Sequence, residues 1–133
     1  MSKSALYTAN AASSAVAVGG IVPLGTTVRR FGCNAVQNGN NIAINGRGYF
    51  LVTASVVAEP TAAGTVGVEL YKDGAAVTGA TASATVAASG DAVTLPITAI
   101  VRNPSECDSA LLSFVLTGTA ADVTNVAVTV VKL

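Results

Sequence analysis

Apolar and polar residues alternate along most of this chain with a period of two, the spacing that sends successive side chains to opposite faces of a β-strand. In 49–57, Phe50, Val52, Ala54 and Val56 fall on one face, and Tyr49, Leu51, Thr53, Ser55 and Val57 on the other. Val66, Val68 and Leu70 alternate with Gly67, Glu69 and Tyr71 in the same way. Val93, Leu95, Ile97, Ala99 and Val101 line one side of a further run, and Leu112, Phe114 and Leu116 one side of another. This pattern predicts a core built on Phe50, Val52, Val56, Val68, Leu70, Leu95, Ile97, Leu112, Phe114 and Leu116. Shorter strands are expected at 5–9, 15–18, 21–24, 28–31, 34–37 and 41–44, a return strand at 76–86 and a last strand at 123–133.

Turn signals separate these runs at Gly19-Gly20, Asn38-Gly39-Asn40, Asn45-Gly46, Asp73-Gly74 and Ser89-Gly90-Asp91. Asp-Gly is the strongest hairpin signal of the set, because glycine supplies the positive φ that tight hairpin turns require. Pro60 ends the long strand, and Pro96 inside a strand run predicts an edge or a bulge, since proline cannot donate to a ladder. No stretch holds a 3.6-residue period between helix caps. The reading is all-β, an antiparallel two-sheet jelly-roll sandwich of about 8–10 strands. An immunoglobulin-like sandwich competes less well, as the chain has no tryptophan for its core. Residues 26–133 are assigned to the jelly roll, and residues 1–25 to an extended segment that either anchors the domain or joins its sheet.

Composition adds a constraint. Only 11% of the 133 residues are charged, against about 25% in ordinary soluble domains, so part of the outside is neutral or hidden. In the last strand Val126, Val128 and Val130 line one face, while Ala127, Val131 and Leu133 make the other nearly as apolar. A strand apolar on both faces is usually covered on both. A neighbouring copy is the simplest second cover, with Val126, Val128, Val131 and Leu133 as candidate contact residues and burial under a loop as the alternative.

Candidate chemistry is sparse. The chain has no histidine, which removes the commonest general base and metal ligand. Its net charge is zero, with no basic cluster beyond Arg29-Arg30, so a nucleic-acid footprint is not expected. No apolar run approaches the ~20 residues of a membrane span. Thr8, Asn10, Ser13 and Ser14 interrupt the start of the chain, so no secretory signal is expected and synthesis is placed in the cytoplasm. Cys33 and Cys107 are expected to be buried free thiols, with a disulfide as the alternative. The carboxylates read as turn residues; a calcium site joining Glu106 and Asp108 to Asp91 or Asp122 is the weaker option. No catalytic residue, cofactor or metal is expected. Tyr7, Tyr49 and Tyr71 could form a sugar-stacking patch, though core packing is the expected use of most aromatics. All cations of the first 58 residues, Lys3, Arg29, Arg30 and Arg47, stand there without an acid. Lys3, Arg29 and Arg30 are therefore candidates for docking on an acidic surface.

The segment NNIAINGRGYFLVTASVVAEPTAAGTVGVELYKDGAAV resembles the jelly-roll domain of the tumour-necrosis-factor and complement globular-head superfamily. The likeness rests on the short strand Ile42–Ile44, the step Gly48-Tyr49-Phe50 into a long core strand, the Asp73-Gly74 hairpin and the closing LSFVLTG strand. More narrowly, the chain is similar to small jelly-roll proteins encoded among virion genes of tailed phages and prophages of gut Firmicutes. The resemblance implies a trimer joined through apolar faces near the three-fold axis. It also implies a capsid decoration or head-fibre protein on the virion surface, held by the major capsid protein or another virion protein, with outer loops free for host-surface or glycan contact. An adhesin module of the same fold is the alternative. The 133 residues hold no collagen-like Gly-X-Y repeat.

Overall fold

A computed structural model describes residues 4–133, which form eleven β-strands and no helix. They are β1 (Ala5–Asn10), β2 (Ser14–Val16), β3 (Thr26–Phe31), β4 (Ala35–Asn38), β5 (Asn41–Ile44), β6 (Gly48–Pro60), β7 (Gly64–Lys72), β8 (Ala75–Val86), β9 (Val93–Asn103), β10 (Ala110–Thr117) and β11 (Ala121–Lys132). One sheet runs β3-β1-β11-β6-β9, with β2 also on β11; the other runs β4-β5-β10-β7-β8. Every pairing is antiparallel. This is the two-sheet jelly-roll sandwich that the alternation predicts.

The ten core positions named from the pattern all lie between the sheets, none more than 2% exposed. Asp73 and Gly74 both take positive φ, 52° and 82°, and close the β7–β8 hairpin as the Asp-Gly signal requires. Pro96 lies on β9, an edge strand, opposite Ser55. The expected strand at 21–24 is reduced to a single bridge, Ile21 to Val115. Pro23 in its middle has no N–H to give to a ladder, yet Val22 and Leu24 on either side are fully buried.

Of the two readings of the N-terminal segment, its described residues fit the one in which it joins the sheet. β1 lies between β3 and β11 inside the larger sheet, and Leu6, Val16, Val22 and Leu24 belong to the common core. The cysteines also differ from expectation: Cys33 and Cys107 are free but exposed. Each sits in a loop whose backbone is turned by local polar contacts, Ser105 Oγ accepting from the amides of Cys107 and Asp108, and Gly32 taking a φ of 77° before Cys33. A small thiol there has no apolar wall to sink into.

A polar clasp closes this end of the sandwich. Ser4 Oγ donates to Asn34 Oδ1 (2.9 Å) and accepts from the Asn34 amide (3.1 Å), while Asn34 Nδ2 donates to the Asn45 carbonyl (2.9 Å). Asn103 Nδ2 donates to the carbonyls of Ile44 (3.3 Å) and Asp108 (3.0 Å), and Ser109 donates to the Asn45 side chain. Asn34 and Asn103 are buried, so these bonds offset the cost of removing their amides from water.

Candidate functional site

The outer face of the larger sheet follows from its register. Since Leu6, Phe50, Val52, Val56, Leu95, Ile97, Val126, Val128 and Val130 turn inward, their chain neighbours turn outward. Val126 and Val128, named from the sequence as contact residues, are therefore core residues with no surface left for a neighbour. The apolar alternation of β11 shows which residues share a face, but only pairing with β1 and β6 decides which face is inside. Val131, half-buried, and Leu133, 63% exposed, do lie on the outer side.

Cross-strand partners arrange that outer face in rows. Phe31, Ala5, Val131, Leu51 and Ile100 form an apolar row across all five main strands, with Phe31 61% and Ile100 58% exposed. Arg29, Tyr7, Thr129, Thr53 and Thr98 form the next row, then Ala9, Ala127, Ser55 and Pro96. Beyond the first row, the Leu133 amide donates to the Tyr49 carbonyl (2.9 Å), and the Arg102 guanidinium stands 6.0 Å from the centre of the Tyr49 ring. From Ala5 to Ala9, Leu51 to Val57, Thr94 to Ile100 and Asn125 to Val131, no outward residue is charged. Apolar and hydroxyl side chains across four adjacent strands make a broad neutral face of the kind a protein partner covers.

Charge is gathered at the rims of this face. At one end Glu59 and Asp122 sit directly opposite each other on β6 and β11. The described cations, Arg29, Arg30, Arg47, Lys72, Arg102 and Lys132, all lie in the other half, toward Gly48 and Asn103, with Asp73, Glu106 and Asp108 among them. Thus the imbalance between chain halves becomes a separation between sandwich ends, because Lys72, Arg102 and Lys132 fold back beside the early arginines. Arg29 and Arg30 are both exposed on β3; Lys3 lies outside the described residues.

The other candidate sites do not assemble. Asp91 and Asp122 stand at the end opposite Glu106 and Asp108, and among the described residues no three His, Cys, Asp or Glu side chains come together. Tyr7 and Tyr49 are exposed on the larger sheet, whereas Tyr71 belongs to β7 of the smaller one, so the tyrosines form no single patch. Exposure of Phe31, Tyr7 and Tyr49 runs against the expectation that most aromatics fill the core. Only Tyr49 carried a signal, its place on the less apolar side of 49–57; Tyr7 shares its side of β1 with Ala5 and Ala9. Among the described residues no helix is long and apolar enough to cross a membrane.

A shallow cavity of about 120 Å³ opens where β3 meets β1, lined by Ala5, Leu6, Tyr7, Arg29, Phe31 and Thr129, with Arg30 beside them. It lies at a bulge: Tyr7 pairs with Arg29 but Thr8 pairs with Thr27, leaving Val28 as the extra residue.

No protein-family model matches the chain, and no curated protein matches it. Solved structures do. Murine APRIL superposes with a TM-score of 0.77 at 13% identity, covering 99% of this chain and 100% of that one. The globular domain of zebrafish complement 1qA gives 0.70 at 8% identity, covering 96% and 94%. The vertex protein P5 of phage PRD1 gives 0.66 at 15% identity, covering 98% and 96%. At these identities the likeness establishes the fold, a TNF-like jelly roll over nearly the whole chain.

Proposed function

We propose that this protein is a non-enzymatic structural component of a phage particle, a homotrimeric decoration or head-fibre protein on the capsid surface. The observation that carries the reading is the neutral outer face of the larger sheet, where Val131, Leu51, Ile100 and Tyr7 stand among threonines and the outward residues of β1, β11, β6 and β9 in these rows carry no charge. A lone domain with so few charges gains little by leaving that face in water. Three copies follow from the resemblance to trimeric jelly rolls, and a virion setting is supported by the same fold in a phage vertex protein. Arg29 and Arg30, at the cation-bearing end, are proposed to meet an acidic surface of the capsid or of another virion protein.

Mass measured by light scattering in solution tests the assembly. A species of about 39 kDa, three times the 13.0 kDa chain, is expected, and a stable 13.0 kDa species would sink the trimer. Imaging of particles with and without the protein tests the location. Reversing Arg29 and Arg30 to glutamate is expected to release the protein from particles, and unchanged binding would remove their docking role.

A further inference from the structure

The open side of β3 is unlike any other strand margin in the molecule. β3 ends the larger sheet: β1 pairs with one side of it, and among the described residues no strand pairs with the other. All six of its residues, Thr26 to Phe31, are exposed, which is true of no other strand. On either side of the bulge at Val28, the edge presents alternate N–H and C=O groups to water, a template on which another extended segment can add.

Four features order the edge and select its occupant. Gly25, at a φ of 75°, brings the chain into β3 so close to β1 that a Cβ there would collide with the Ala9 carbonyl oxygen. Gln37 of β4 then holds the strand from the opposite sheet, its Nε2 donating to the Gly25 carbonyl and its Oε1 accepting from Thr27 Oγ1 (2.8 Å). The edge is thus preformed, which lowers the entropy cost of adding a strand. Charge disfavours a second copy in the register centred on the arginines, where the two of one copy would face the two of the other and like charges on facing strands repel. No carboxylate lies on β1, β4 or β5 to answer Arg29 and Arg30 from within the chain. Beside the edge, the cavity walled by Tyr7 and Phe31 offers room for one small apolar side chain.

We infer that the free edge of β3 takes up an extended acidic segment of a partner protein by strand addition, with one carboxylate on Arg29 and one apolar side chain in the Tyr7–Phe31 cavity on the outer face, and a second carboxylate on Arg30 on the opposite face. The inference rests on the proposed docking role of the two arginines and states its mode. Arginine suits the task because its planar guanidinium pairs with a carboxylate through two parallel hydrogen bonds.

The test uses the full chain and a short fluorescent peptide in which two adjacent glutamates, one for each face of β3, are flanked by valine and threonine, followed by anisotropy. In an added strand only every second N–H faces its neighbour. Methylating one alternate set of peptide amide nitrogens is therefore expected to weaken binding about tenfold or more, and methylating the other set less than about twofold. Protection from amide exchange is expected within Thr26–Phe31, and the protein carrying Arg29→Glu and Arg30→Glu is expected to lose about tenfold or more in affinity. Equal binding of both methylated peptides, no binding of the parent peptide, or protection on β8 or β9 instead would overturn strand addition while leaving an arginine contact to particles intact. Failure of the charge-reversed protein to lose particle binding overturns the docking reading itself, so the two failures are told apart.

Discussion

Thr8 is a polar residue placed where the fold wants an apolar one. It is fully buried on the core side of β1, in register with Val128 and Thr27, and its hydroxyl has no hydrogen-bond partner among the described residues. An unpaired buried hydroxyl costs about 1–3 kcal/mol. Thr8→Val keeps the shape and removes that cost, so it is expected to stabilise the protein by about 1 kcal/mol, whereas Thr8→Ser keeps the hydroxyl, leaves a hole and destabilises. Thermal unfolding followed by circular dichroism reads both signs. The facing carboxylates Glu59 and Asp122 make a second residue-scale case, since like charges directly opposite on adjacent strands destabilise by about 0.2–1 kcal/mol. Asp122→Asn is expected to raise the unfolding midpoint at low salt, and the gain should shrink as added salt screens the pair.

At the scale of elements, β11 shows what alternation carries and where it stops. The run from Val123 to Leu133 identifies a strand and sorts its residues into two sets, and both are observed. Which set faces inward depends on β1 and β6 lying on either side, a pairing between residues far apart in sequence that a local pattern cannot contain. The same limit explains Phe31: an aromatic at the end of a short run reads as core, but β3 comes to rest at a sheet edge with nothing above it. The two faces of β11 make opposite predictions. Val131→Glu puts a charge on the outer face and is expected to leave the strand content intact while shifting the mass from about 39 kDa to the 13.0 kDa of one chain. Val128→Glu buries an unpaired charge between the sheets and is expected to unfold the protein. Identical behaviour of the two variants in circular dichroism and light scattering would contradict this assignment of faces.

Over the whole molecule, the N-terminal segment decides whether the domain is a head on a tether or a single body. Its sequence is low in charge and rich in alanine and serine, which suits an anchor or a member of the sheet alike; only the position of β1 between β3 and β11, a pairing of residues far apart in sequence, shows that it joins the sheet. Removing residues 1–24 would strip β3 of the only strand that pairs with it among the described residues and expose the long flank of β11. It would also delete Leu6, Val16, Val22 and Leu24, each buried to 6% exposure or less and each worth about 1.5–3 kcal/mol of burial. A domain has a total stability of only roughly 5–15 kcal/mol, so these four losses alone reach its scale. The expected outcome is therefore an insoluble or unfolded product, with no cooperative transition on heating. A tether would behave otherwise: the truncated chain would melt at the same temperature as the full one and lose only its attachment to particles. Comparing thermal melts of the full chain and the 25–133 fragment separates the two directly, and it bears on the proposed docking at β3, because the strand that supports the arginines is also a strand that the core cannot spare.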